Sequence, residues 1–155
     1  MYDRIKAVEY AKKYAFNYNP DYYNFTNIGG DCTNFVSQCL YAGGIKMDFN
    51  NLGWFYNSLN NRSASWTSVE SFWNYGKLNK NFKIEETNID NLQVGDIIQF
   101  YNKIQNKYYH MVIVTKIIEP RSIKNILVSS HDNNAYNKSL LQYNVTDFRF
   151  GKIIA

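Results

Sequence analysis

The chain has 155 residues, 45% of them hydrophobic, which is enough for one domain with a real core. A net charge of +4 and a pI of 8.9 suit an anionic target such as a cell-wall polymer. The basic residues are scattered, however, and no run of them marks a nucleic-acid stripe. No window approaches the ~18 consecutive apolar residues of a membrane span. The charged, amphipathic start from Tyr2 to Ala15 is unlike a signal peptide, so the expectation is either a cytoplasmic chain or a domain whose export signal lies elsewhere.

In chain order, Asp3 can cap a helix over 4–16, with Ile5, Val8, Ala11 and Ala15 as its apolar stripe, and Asn17 to Pro20 ends it. Tyr18, Tyr22, Tyr23 and Phe25 fill a loop. Next comes Gly29-Gly30-Asp31-Cys32, a glycine turn that delivers a cysteine to the first turn of a helix. Phe35, Val36, Cys39 and Leu40 form its inward face, and Gly43-Gly44 closes it. Asp31 is a good N-cap type. From about 45 to 66 no period is readable. Thr67-Ser68-Val69-Glu70 has capping-box spacing and predicts a short helix to Tyr75. From Leu92 the texture turns to β, with strands at 97–101, 108–118, 124–131 and within 145–154. Helices first and an antiparallel meander afterwards imply an α+β domain.

A cysteine on an apolar helical stripe is ordinarily a packing residue, and Cys39 fits that description. Cys32 does not, because it sits at the helix mouth behind two glycines. Free N–H groups there favour a thiolate and can hold an oxyanion. A disulfide between the two is excluded, since seven residues of helix set them about 10 Å apart. The unpaired cysteines do not identify a redox compartment.

The two histidines both lie in the β half. His110 opens the run Met111 to Val114, and His131 closes the run Asn125 to Ser130. On neighbouring antiparallel strands, the start of one lies beside the end of the next, so both imidazoles would stand at one sheet edge. One would take the proton of Cys32 and the other would orient it. Asp132 or Asn133 could be the orienter instead. Cys, His and His could alternatively supply three zinc ligands, with Asp132 or water as the fourth. The 14 tyrosines and 10 phenylalanines suit a carbohydrate or peptide groove, and equally the compositional bias of an AT-rich genome. A non-catalytic wall-binding module is the remaining alternative.

Gly29 to Leu40 with Ala42-Gly43-Gly44, together with Tyr18-Asn19-Pro20, Gly95-Asp96-Ile97-Ile98, His110 to Val114 and Ser130-His131, closely resembles the putative amidase domain family of bacteria. That family is related to the NlpC/P60 and CHAP cysteine peptidases. The resemblance implies a papain-like fold over one domain, 1–155, with N-terminal helices packed on an antiparallel sheet. It implies Cys32 as nucleophile, His110 as base and His131 as the third polar residue, with support from Asp31 and Asp132. It also implies cleavage of amide bonds in peptidoglycan stem peptides without metal or other cofactor, by a monomer at the cell wall. The chain departs from the NlpC/P60 pattern at Thr33-Asn34, where that pattern has Ser-Gly. Pro20 stands where many NlpC/P60 enzymes place a tyrosine, a role Tyr18 or Tyr23 could fill.

Overall fold

In a computed structural model describing residues 1–155, four α-helices accompany a six-stranded antiparallel sheet and a two-stranded one. This is the α+β class that the sequence predicts. Helix α1 (Arg4–Tyr14) starts at Asp3, whose carboxylate accepts the Lys6 N–H at 3.0 Å. Its buried stripe is Ala7 and Ala11, with Ala15 just beyond the end, whereas Ile5 is exposed. Small alanines rather than the larger Ile5 therefore form the face towards helix α2 (Cys32–Ala42).

Every residue of α2 from Cys32 to Leu40 is buried, because α1, helix α3 (Ala64–Thr67) and the sheet all pack on it. Its polar side chains are accordingly matched. The Tyr10 hydroxyl donates to Gln38 at 2.5 Å, Trp54 Nε1 to Ser37 at 3.1 Å, and Trp66 Nε1 to Asn34 at 2.9 Å. Gly44, at φ +95°, supplies the left-handed stop. Gly43 has an ordinary φ and is needed for space, since a Cβ there would lie 2.6 Å from the Tyr2 ring.

Between α2 and α3 lies the hairpin β1 (Tyr56–Ser58) and β2 (Asn61–Arg62), and helix α4 (Val69–Gly76) follows α3. The predicted capping box is not formed. Thr67 ends α3, its hydroxyl accepting from Arg62 Nε, and Glu70 bonds the Tyr108 N–H and Arg149 instead. The strands are β3 (Lys83–Thr87), β4 (Ile97–Asn102), β5 (Lys107–Ile117), β6 (Ile126–Ser130), β7 (Ala135–Ser139) and β8 (Phe148–Ile154). Their order is β3-β8-β4-β5-β6-β7, so the expected meander holds from β4 to β7, while β8 returns between β3 and β4. One face of the sheet, with Met111, Ile113 and Ile153, joins the helices. The other carries Ile98, Phe100, Val112, Val114 and Val128 in a second core.

The Gly95-Asp96 pair is structural. Asp96 is fully buried, accepts the N–H groups of Gln93 and Ile153, and pairs with Arg4 at 2.6 Å, which ties α1 to the start of β4. No helix is long and apolar enough to cross a membrane.

Candidate active site

The β5–β6 ladder ends at the pair Ile113–Ser129. Beyond that pair β6 runs to Ser130 and into a turn at 131–134, and this turn brings Asp132 within reach of His110 near the start of β5. Asp132 and Asn133 both have left-handed φ, +62° and +64°, as a tight hairpin turn requires.

The mouth of α2 sits where the two strands part. The Asp132 carboxylate accepts the Asp31 N–H at 2.9 Å and the Cys32 N–H at 3.0 Å, and so caps the helix from a distant segment. This approach explains Gly30: its φ is +96°, and a Cβ there would lie 2.6 Å from Asp132 Oδ2. Around Cys32 Sγ stand the Met111 N–H on the strand side and the N–H and hydroxyl of Thr33 on the helix side. Cys32 Sγ, a His110 ring nitrogen and an Asp132 carboxylate oxygen all lie within 4.8 Å of one another. A thiol, an imidazole and a carboxylate thus converge at a helix N-terminus.

The chain belongs to the Putative amidase domain family. The match spans residues 1–153, nearly the whole chain. The chain is similar to the uncharacterized protein YhbB of Bacillus subtilis, with 41% identity over 75 residues, 48% of this chain and 20% of that protein. It is similar also to the uncharacterized protein YjcM of the same organism, with 28% identity over 141 residues, 88% of this chain and 32% of that protein. The chain thus spans a third or less of the length of these relatives. No solved structure matches it.

In this amidase-family domain the other candidates take different places. His131 is only 1% exposed, and its Nδ1 lies 2.5 Å from Asp31 Oδ2 and its Nε2 2.7 Å from the Tyr14 carbonyl oxygen. Both partners are acceptors, so the His131–Asp31 pair carries hydrogen on both ring nitrogens or on the carboxyl. The ring is packed between Phe35 at 4.2 Å and Tyr18 at 4.5 Å. His131 therefore makes no hydrogen bond to His110 or Cys32. With both nitrogens used, it cannot be a ligand in a Cys/His/His zinc set either.

Asp31 holds the N-cap position of α2, but its side chain makes no capping bond. It accepts instead from the Phe25 N–H at 2.7 Å and Asn34 Nδ2 at 2.9 Å, which clamps the glycine loop. The Tyr18 hydroxyl lies near Thr26 and Asn134, and Tyr23 is held through its backbone by Tyr56 and Asn34. Neither bonds Cys32. Both rings are partly exposed on the loop ahead of the helix.

The sulfur is less open than the helix-mouth position suggests: Cys32 is 6% exposed. Burial pushes its thiol up to about 12, and the negative charge of Asp132 adds to the rise. The expected depression of the thiol pKa is therefore not found, because burial, with the Asp132 charge behind it, outweighs the N–H and hydroxyl donors around the sulfur. Burial likewise lowers His110 to about 4, against the opposing pull of Asp132. Neither ring nitrogen of His110 makes a hydrogen bond. At neutral pH the site therefore holds a thiol beside a neutral imidazole.

Sequence reasoning missed the inner polar frame. Asn34 satisfies Asp31, Trp66 and the Tyr23 carbonyl at once. The buried hydroxyls of Ser130 and Tyr143 face each other and have no other partner. A cavity of about 680 Å³ is lined by Phe49, Leu52, Phe55, Arg62, Tyr75 and Leu78 among others, and touches none of Cys32, His110 and Asp132.

Proposed function

We propose that the chain hydrolyses amide bonds of peptidoglycan stem peptides, or of peptides like them, through an acyl-enzyme on Cys32. The observation that carries this reading is the convergence of Cys32 Sγ, His110 and Asp132 within 4.8 Å at a helix N-terminus. Membership of the amidase family supports the reaction class, and the relation of that family to the NlpC/P60 and CHAP peptidases would imply a papain-like cysteine mechanism at the cell wall. The net charge of +4 suits an anionic wall polymer, and the partly exposed rings of Tyr18 and Tyr23 offer it aromatic surface. The domain acts as a monomer over 1–155 and needs no cofactor.

The resting pair is neutral, so the proton moves as the sulfur attacks. The S–C bond forms, the thiol proton passes to His110, and the carbonyl electron pair moves to oxygen. When that pair returns, the C–N bond breaks and imidazolium His110 gives its proton to the leaving amine. Water then attacks the thioester. His110 takes a proton from it and returns it to sulfur, which releases the acid. Asp132 favours the imidazolium by its charge, an effect strengthened where water is excluded. As Asp132 turns towards the imidazolium, it frees the Cys32 N–H for the oxyanion. In this reading His131 and Asp31 position the hairpin that carries Asp132.

Digestion of purified peptidoglycan tests the proposal, with fragments identified by mass. Wild type should release peptides ending in new amino and carboxyl groups. Cys32→Ala and His110→Ala should release none while keeping the fold. Wild-type turnover by Cys32→Ala would refute the mechanism.

A further inference from the structure

The same three side chains have the composition and spacing of a metal site: one sulfur, one nitrogen and one oxygen within 4.8 Å of one another. Zinc bonds of about 2.0–2.3 Å in tetrahedral geometry set donor atoms roughly 3.5 Å apart, so closure by about 1 Å completes the set. His110 is only 8% exposed and has no hydrogen-bond partner on either ring nitrogen, so a lone pair stands free in the site. The carboxylate is already oriented by the Asp31 and Cys32 N–H groups, as outer partners orient a metal ligand.

We propose that Cys32, His110 and Asp132 bind a thiophilic divalent cation, zinc being the best match, and that its occupancy blocks the sulfur. Binding replaces the thiol proton: the S–H bond breaks, a sulfur–metal bond forms, and one proton leaves to solvent. A dication with one thiolate and one carboxylate leaves the buried site neutral, which is the condition for burying charge. A mixed S, N, O set selects zinc-like ions over magnesium or calcium, which prefer oxygen alone. Three protein ligands leave a fourth position for water. The two groups taken by the ion are those that the amidase reading needs as nucleophile and base, so the inference that zinc inhibits rests on that reading.

The test uses the chelator-stripped chain with cobalt as a spectroscopic probe and zinc as competitor. Cobalt should give a thiolate charge-transfer band saturating at one ion per chain, and zinc should abolish it. Cys32→Ser should lose the band, and His110→Gln and Asp132→Asn should weaken affinity by about 10–100-fold. Cys39→Ala, which removes the other thiol, should keep it. In wild type, one equivalent of zinc should protect Cys32 from a small thiol reagent at pH 8, as read by peptide mass. No thiolate band, a band surviving in Cys32→Ser, or labelling of Cys32 unaffected by zinc would each overturn the proposal. Turnover only when zinc is bound would overturn both this inhibition and the acyl-enzyme. Zinc protection in a chain that cleaves no amide would support the site and refute the amidase reading alone.

Discussion

Replacing His131 by Ala separates a structural histidine from a chemical one. In the wild type the imidazole bridges Asp31 at 2.5 Å and the Tyr14 carbonyl at 2.7 Å, with both His131 and Asp31 only 1% exposed. Removing one partner strands a buried carboxylate, which costs about 3–5 kcal/mol. Losing the stacking on Phe35 and Tyr18 adds about 1 kcal/mol. At about 2–4 °C per kcal/mol for a chain of this size, Tm should fall by roughly 10–20 °C. The assay is thermal and urea unfolding of Asp31→Asn, His131→Ala and the pair together. The double variant has no charge to strand, so it should be more stable than the sum of the singles implies by about 2 kcal/mol or more. Additive single effects, or a His131→Ala loss below about 1 kcal/mol with turnover abolished, would refute the structural assignment.

Gly30→Ala places a Cβ at φ +96° and 2.6 Å from Asp132 Oδ2. Left-handed strain and a lost cap together should cost about 2–4 kcal/mol in urea unfolding. His110 stays neutral in the fold down to about pH 4, whereas the unfolded chain takes up that proton below about 6.5, so stability should fall as pH drops through this window. His110→Gln should flatten that acid limb in unfolding curves taken from pH 7 to pH 4. The Cys32 thiol holds its proton to about 12 in the fold, so stability should also decline above about pH 8.5, where an unfolded cysteine ionises, and less so in Cys32→Ser. Ser130→Ala leaves the buried Tyr143 hydroxyl without its polar neighbour, so it should cost about 1 kcal/mol in urea unfolding, and adding Tyr143→Phe should restore most of that loss.

Much of the fold was legible because the burial it creates is periodic. The 3.6-residue pattern of Phe35, Val36, Cys39 and Leu40 and the apolar runs at 97–101 and 111–114 mark α2, β4 and β5 where they stand. Strands β3 and β7 were not legible: Lys83–Thr87 and Ala135–Ser139 are largely polar edge strands with few buried positions. The capping box failed because tertiary partners of Glu70 outcompete the local bond. At the site, the sequence places the end of β6 beside the start of β5, but the choice between His131 and Asp132 turns on how the 131–134 turn folds. Left-handed φ at Asp132 and Asn133 sends the Asp132 carboxylate to the mouth of α2 and leaves His131 on Asp31 and Tyr14, which no local pattern shows. Nor can local sequence reveal that the cap of α2 comes from Asp132, 100 residues away from Cys32.

Acid-quenched mass spectrometry during turnover of stem peptides tests the central claim most directly. A covalent adduct matching the acyl half of the substrate should appear on the tryptic peptide containing Cys32 and disappear as product accumulates. Turnover with no adduct on that peptide, or an unchanged rate in Cys32→Ala, would contradict the account.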